Sequence, residues 1–500
     1  MILVPSLFHT DRKVPTCYRT WRKRGWCLLE LYAAAMARDS SNPPLLVQSE
    51  NGIPTWISPL EVMKLSIGLA DFTCCQRNHV ITTETQKIMN QNRVKRIPCD
   101  KKIVSSVLRQ LIEAKGNYLF NTEKDLVMAR FHFALKHWWM RGLFQKVHKE
   151  NTTQFKQRFR WGKNEGTFYD VGGVSVLAYA VTSNSYDVVR ELLQNLKRDF
   201  KGEEYARRLE SRARNEGYIA LGIPGGVTTL MTAMMTASPQ IVSLLLEYGA
   251  KPESVDSMGN DGFIIASTFG RVENLNCWLE RIKDWDVNRA VTVLGSPAIG
   301  AALYVLYCFS SFFFIKKCFV CWCFSNDSLS THNRYMGPNK LETVKFLLKA
   351  GARLDYITYS GGGPLIGAAE NEDADPKVVR FLLDKLKTNL GTAFESVLNF
   401  RRKSRSFKWR AIRSVATISY RTKIFESNLL RTLAINAGTT ALNHAILRGD
   451  IEIVQLLLDY GADPVTENDL GMDSFDICDT CGPFPKISDA LWEHTRDENI

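Results

Sequence analysis

Residues 440–464 read TALNHAILRGDIEIVQLLLDYGADP, and this stretch decides the fold. Thr440 stands where a helix would open, an N-cap whose hydroxyl accepts from a free backbone N–H. Ala445 is small enough to let that helix approach a neighbour closely. Ile453, Val454, Leu456, Leu457 and Leu458 give a second helix an apolar face at i, i+3, i+4 spacing. Gly461 follows it, where a chain leaving a helix takes the left-handed conformation that glycine accepts without a Cβ clash. One such pair cannot bury its own apolar face, so copies must stack.

The copies are present. Thr228-Thr229-Leu230-Met231-Thr232-Ala233 is followed, at the same offset, by Ile241 to Leu246 and then Glu247-Tyr248-Gly249-Ala250. Ser175 to Ala180 leads to Val188 to Leu193, and Asp261 to Ala266 leads to Asn274 to Leu279. Units open near 173, 226, 259, 294, 361 and 438, and Met472 to Trp492 reads as a seventh, terminal one. These residues resemble the ankyrin repeat, with its T-P-L-H-x-A opening, V-V-x-L-L-L second helix and G-A-D-P finger. The opening Pro survives only at Pro297 and Pro364, and the His only at His444, displaced by one position. The resemblance covers most of 170–495. It implies a mainly α solenoid of about six to seven helix–turn–helix units with two insertions, behind a smaller α/β or mostly helical region at 1–165. It also implies a cytoplasmic scaffold that binds an unidentified protein, with the variable finger residues Asp256, Asn260, Asp355, Tyr356, Glu467 and Asp469 facing the partner.

Two interruptions divide the array into 170–387, 388–437 and 438–495. The fourth unit opens at Ser296-Pro297, but its second helix, Glu342 to Leu348, arrives after an apolar insert at Val305 to Tyr335. Ala290 to Ile315 carries no charge, which is long enough to span a bilayer. Spanning there would split one helix pair across a membrane, whereas removing 305–335 restores a near-normal unit. The expectation is translated non-coding sequence, with a membrane segment at about 290–315 or a genuine insertion as alternatives. The second interruption carries Arg401, Arg402, Lys403, Arg405, Lys408, Arg410, Arg413, Arg421 and Lys423 without an acid among them, interleaved with Phe407, Trp409, Ile412, Val415 and Ile418. It reads as a long helix laying its apolar side on the array with solvated arginines. The alternative is a basic amphipathic helix for an anionic ligand or lipid.

The first 165 residues show no repeat. Helices are expected around Glu61–Leu69, Lys102–Lys115 and Lys124–Leu143, the last with a core-forming aromatic knot of Phe131, Phe133, Trp138 and Trp139. A short strand is expected at Pro43 to Val47. The segment Trp26-Cys27-Leu28-Leu29-Glu30-Leu31 resembles the helix-opening motif of Toll/interleukin-receptor (TIR) domains, some of which cleave NAD; the resemblance would make Glu30 the catalytic glutamate. Only about 25 residues precede it, so the strands and phosphate loop that such a pocket needs are missing.

Composition bounds the rest. Apolar residues at 45% and charged residues at 23% are ordinary globular values. The net charge of +12 falls to near +3 without the nine cations of 401–423, so the basicity is local and no sequence-specific nucleic-acid binding is expected. Twelve cysteines in 500 residues are too sparse for a disulfide scaffold and suit a reduced, intracellular compartment. Charge arrives at Asp11, unlike a signal peptide. Cys318, Cys321 and Cys323 have metal-like spacing without a second ligand pair, and Cys478–Cys481 is one CxxC outside any βαβ unit. The sequence shows no HExxH, no GxSxG and no Walker motif, so neither enzyme activity, nor a cofactor, nor a metal is expected.

Overall fold

A computed structural model of the chain describes residues 2–3, 7–9, 14–37, 44–47, 55–57, 62, 65–81, 95–143, 149–162, 168–211, 224–290, 294–303, 306–307, 334–335, 340–371, 374–423, 428–482 and 484–497. It divides into two compact units. One comprises Arg19–Pro43 and Val62–Ser211; the other comprises Met1–Tyr18, Pro44–Glu61 and Arg212–Ile500.

The first unit is helical: α1 (Gly25–Ala35), α2 (Asp100–Tyr118), α3 (Leu126–Ala134), α4 (Thr152–Arg158), α5 (Val176–Thr182) and α6 (Tyr186–Asp199). The face of α2 carrying Val104, Leu108 and Ile112 is fully buried, with α1 and α3 packed on the helix. Of the helix expected at Glu61–Leu69, Val62 is helical and Ile67–Leu69 is a 3-10 turn among the described residues. Tertiary contacts hold that segment in another shape: Ser66 Oγ donates to the Arg141 carbonyl (2.6 Å), and a Cβ on Gly68 would sit 2.2 Å from the same oxygen. The helix expected over Lys124–Leu143 breaks into α3 and a turn at Lys136–Trp139. Phe131, Trp138 and Trp139 are buried, and Phe133 stacks on Phe120 at 5.6 Å.

Helices α5 and α6 are the first repeat, and Ser175 caps α5 by accepting the Ala178 N–H at 3.0 Å. The packing of α3 on α5 and of α4 on α6 places a further helical layer ahead of that repeat. Arg130 fastens the two. Its fully buried guanidinium meets Asp170 at 3.3 Å, donates to the carbonyls of Phe159 and Arg160 at 3.0 and 2.9 Å, and stacks 4.7 Å over Trp161.

The second unit begins with short strands. Leu45–Val47, where a strand is expected, pairs parallel with Ile2–Leu3 and antiparallel with Thr55–Trp56. The helices follow: α7 (Thr229–Thr236), α8 (Pro239–Glu247), α9 (Gly262–Thr268), α10 (Val272–Arg281), α11 (Ala298–Leu303), α12 (Lys340–Lys349), α13 (Pro364–Glu370), α14 (Pro376–Leu390), α15 (Phe407–Thr422), α16 (Asn428–Ile435), α17 (Ala441–Leu447), α18 (Ile451–Asp459), α19 (Ser474–Cys481) and α20 (Pro485–Asp497). First helices stack in the order α7, α9, α11, α13, α17, α19, and second helices in the order α8, α10, α12, α14, α18, α20. Neither insertion breaks either row. Helices α11 and α12 pack on each other directly, and α13 and α14 meet α17 and α18 although α15 and α16 intervene in sequence. Carbonyls left free at the helix ends are taken up by the next repeat: Asn274 Nδ2 donates to Ala233, Met234 and Ala237, and Asn371 Nδ2 to Leu303.

Of the insert at 305–335, only Leu306–Tyr307 and Arg334–Tyr335 are described, as an antiparallel pair. Cys308, Cys318, Cys321 and Cys323 lie outside the described residues. A membrane span over 290–315 is contradicted at its centre: Ala298–Leu303 is buried helix α11, packed between α9 and α13. Among the described residues no helix is long and apolar enough to cross a membrane. The second insertion also departs from expectation. Helix α15 packs on α16 through Ala416, Leu430 and Ala434, and leaves Phe407 (79% exposed), Val415 and Ile418 (59%) in solvent instead of laying them on the array.

Candidate partner-binding surface

Three of the described hairpin fingers share one construction. Asp256 Oδ1 accepts the N–H groups of Met258 and Asn260 at 2.8 and 2.9 Å. Asn468 Oδ1 accepts those of Leu470 and Met472 at 2.9 and 3.0 Å. Asp170, in the first unit, does the same with Gly172 and Val174, both at 2.9 Å. Three residues after each of these stands a glycine with positive φ, Gly259, Gly471 and Gly173, and two further on the N-cap of the next helix, Asp261, Asp473 and Ser175. Successive fingers are stitched by backbone bonds, Ser257 N–H to the Gly225 carbonyl (2.7 Å) and Asp469 N–H to that of Ala437 (2.9 Å).

Helix pairs of this length, capped in this way, stacked in two rows and joined by such fingers are the architecture expected from 440–464. The family model for the ankyrin repeat matches residues 437–469, the finger and helix pair around α17 and α18. This is an ankyrin-repeat protein.

Solved structures similar to the chain include the ankyrin repeat domain of Bcl-3, at 19% identity and a TM-score of 0.36 over 64% of this chain and 99% of that one. The ankyrin repeat domain of human ASB11 has 16% identity and a TM-score of 0.36 over 64% of this chain and 97% of that one. Among curated proteins, the mitochondrial disaggregase of Bos taurus is 29% identical over 211 residues, which is 42% of this chain. The chain spans 28% of the length of that relative.

On the ankyrin framework the expected finger residues separate into two groups. Asp256 and Asn260 are buried, and Asn260 Nδ2 donates to the Asp256 carboxylate (3.0 Å); both hold the loop together and neither faces a partner. Tyr356 is half-buried with its ring against Gly300. Asp355 and Glu467 are exposed, Asp355 paired with Arg353. Asp469 is exposed and meets Arg401 at 3.1 Å. Two apolar side chains that sequence reading passed over, Tyr359 (42% exposed) and Val465 (59%), stand out of the same fingers. Their signal was a large apolar residue at a loop position.

The basic patch separates likewise. Residues 401–406 run between the fingers of the fifth and sixth repeats, where Arg402 N–H donates to the Thr439 carbonyl (2.9 Å) and Arg405 N–H to that of Tyr359 (3.0 Å). Arg402 is buried in a bidentate pair with Glu370 of α13, and Arg413 is buried on α15. Lys403, Arg405, Lys408 and Arg410 remain exposed. Phe407, Ala411, Val415 and Ile418 fall within about 80° of arc on α15 at 100° per residue, an apolar stripe with cations beside it.

Burial sets the ionisation of the ankyrin core. It raises Asp256, against the donors from Asn260 and its own loop, and pushes Asp261 up to about 6, against the Ile264 N–H and Arg289. Burial and then Arg402 push His444 down to about 3; its Nε2 lies 2.9 Å from Thr439 Oγ1. Burial also pushes the Cys478 thiol up to about 11, so the CxxC on α19 holds inert core thiols. Glu30 is exposed on α1.

Proposed function

We propose that the chain is a non-catalytic scaffold that holds another protein on the exposed finger residues Asp355, Glu467 and Asp469 and the half-buried Tyr356, together with Lys403, Arg405, Lys408 and Arg410 on the adjoining insertion. The observation that carries this reading is the unbroken stacking of both helix rows from 229 to 497 across two insertions. Such a surface is preformed, so a partner meets it with little ordering cost. The mixed signs and the apolar stripe of Phe407, Val415 and Ile418 fit a partner with an apolar, partly acidic surface. Cross-linking the full chain in its own cells tests this: links should map to Lys403, Lys408 and the fingers. The D355K/E467K variant should lose the partner while melting unchanged. Retention of the partner by that variant, with links confined to 19–211, would overturn the reading.

The likeness to a disaggregase favours a second reading, in which the partner is an unfolding client polypeptide. The full chain should then suppress light scattering by a thermally unfolding reporter protein, and F407S/I418S should weaken that effect.

A further inference from the structure

Three thiols outside the array meet in the first unit. The sequence places them at 74, 75 and 99, and local structure brings them together. One helical turn, Thr73–Gln76, presents Cys74 and Cys75. The chain then reverses through Asn78 and His79, both with positive φ, and the His79 N–H closes back on the Cys74 carbonyl at 2.7 Å. Val80–Ile81 pairs antiparallel with Lys95–Arg96, and the His79 carbonyl accepts the Ile97 N–H at 2.9 Å. That pairing returns the chain so that Cys99, the residue before α2, faces Cys75. The Sγ atoms of Cys74 and Cys75, and of Cys75 and Cys99, are 3.9 Å apart, and all three lie within 4.8 Å of one another.

We propose that Cys74, Cys75 and Cys99 form a binding site for a thiophilic d10 metal ion, with Zn2+ as its probe. A tetrahedral ion with bonds of about 2.3 Å to sulfur sets its thiolates about 3.8 Å apart, which two of these separations already match. A disulfide would instead need about 2.05 Å, so two sulfurs would have to close by nearly 2 Å. The Asp100 N–H, first in α2, donates to Cys74 Sγ at 3.4 Å, and the positive end of this helix favours negative charge beside it. Cys74 is buried and the other two are half-buried, so the site is shielded yet reachable. The fourth position falls to water, because among the described residues no further His, Cys, Asp or Glu completes the cluster within 4.8 Å. Cysteine ligates as the thiolate, so loading at neutral pH must displace thiol protons, up to three per ion, and affinity must rise with pH.

The test uses the full chain, purified reduced, with Zn2+ bound in competition with a chromophoric chelator. Because Cys308, Cys318, Cys321 and Cys323 could bind zinc on their own, a parallel sample carries all four as Ser. The expected result is one zinc per chain in that sample, proton release on loading, and loss of binding in C75S and in C99S. Where a serine variant fails to fold, C99H, which keeps a ligand, should fold and retain the metal. Three results would each overturn the proposal: no zinc on the reduced chain, zinc retained by C75S/C99S, or a Cys75–Cys99 disulfide whose reduced form takes up no metal.

Discussion

Replacing Arg402 by Met should be among the most damaging single changes in the ankyrin stack, although the sequence presents Arg402 as one cation in a basic surface. Its guanidinium and the Glu370 carboxylate are each 5% exposed, and they meet through two hydrogen bonds, Nη1 to Oε1 at 3.2 Å and a closer one from Nη2 to Oε2. Removing one member of such a pair strands the other charge, at a cost of about 3–5 kcal/mol. Spread over a unit of about 325 residues, that corresponds to roughly 4–7 °C in melting temperature. Part of the cost is avoidable by protonating Glu370, so the loss should shrink at acid pH as the stranded carboxyl takes up a proton. Replacing both groups by neutral ones, R402M/E370Q, should recover most of the stability, because the desolvation of two charges disappears with their attraction. Urea unfolding at pH 7.5 and pH 5, with hydrogen exchange read at 361–370 and 439–447, measures all three. A cost below about 1 kcal/mol for R402M, independent of pH, would mean that the pair behaves as a solvated surface contact.

Acid should also act through His444. Its folded pKa lies below the unfolded value of about 6.5, so stability is lost as pH falls, and at pH 5 the loss is about 2 kcal/mol. In H444Q that loss between pH 7.5 and 5 should vanish from urea midpoints. Asp261 works in the opposite sense: its folded pKa of about 6 is raised, so its contribution is full below about 4 and is lost as pH rises through 6. D261N keeps the cap on α9, and should stabilise the chain at pH 7.5 by about 2–3 kcal/mol while leaving it unchanged at pH 3.5. The two slopes oppose each other between pH 4 and 6.5, so the unsubstituted chain should show a flatter acid limb than either variant.

The repeats were legible because each rests on local chemistry at fixed spacing: a cap, a small residue, an apolar face and a left-handed glycine. The roles of polar finger residues were not, because burial depends on the neighbouring finger. Asp256 reads as a solvated loop carboxylate until its two backbone donors are counted, although an Asx three residues before a glycine recurs at 170, 256 and 468. Arg402 and Arg413 were similarly hidden in a run of cations that share composition and not environment. The three clustered thiols carry no such signal, because their contact is made by strand pairing between residues far apart in sequence, unlike the short spacings at 318–323 and 478–481. Arg130 carried no signal either, because its partners at 159, 160 and 170 lie on the far side of α4 in sequence.

Why a repeat array survives an insertion inside one of its helix pairs follows from comparing two energies. Separating α11 from α12 by residues 304–339 lengthens a link that, between α7 and α8, is only Ala237–Ser238. Even for an unstructured link, closure cost grows only as the logarithm of length, so the extra penalty is roughly 2–3 kcal/mol. Against it stand Ile299, Leu303, Val344 and Leu347, all buried where the pair meets its neighbours, each contributing about 1.5–3 kcal/mol. Burial wins, and the pair forms. Deleting Val305–Tyr335 leaves a link of five residues and should therefore raise stability by about 2 kcal/mol, with hydrogen exchange in α11 and α12 slowed and the fingers unchanged. A deletion variant that unfolds more easily than the full chain would show that the insert makes stabilising contacts of its own, and the apolar stretch would then be a working part of the protein.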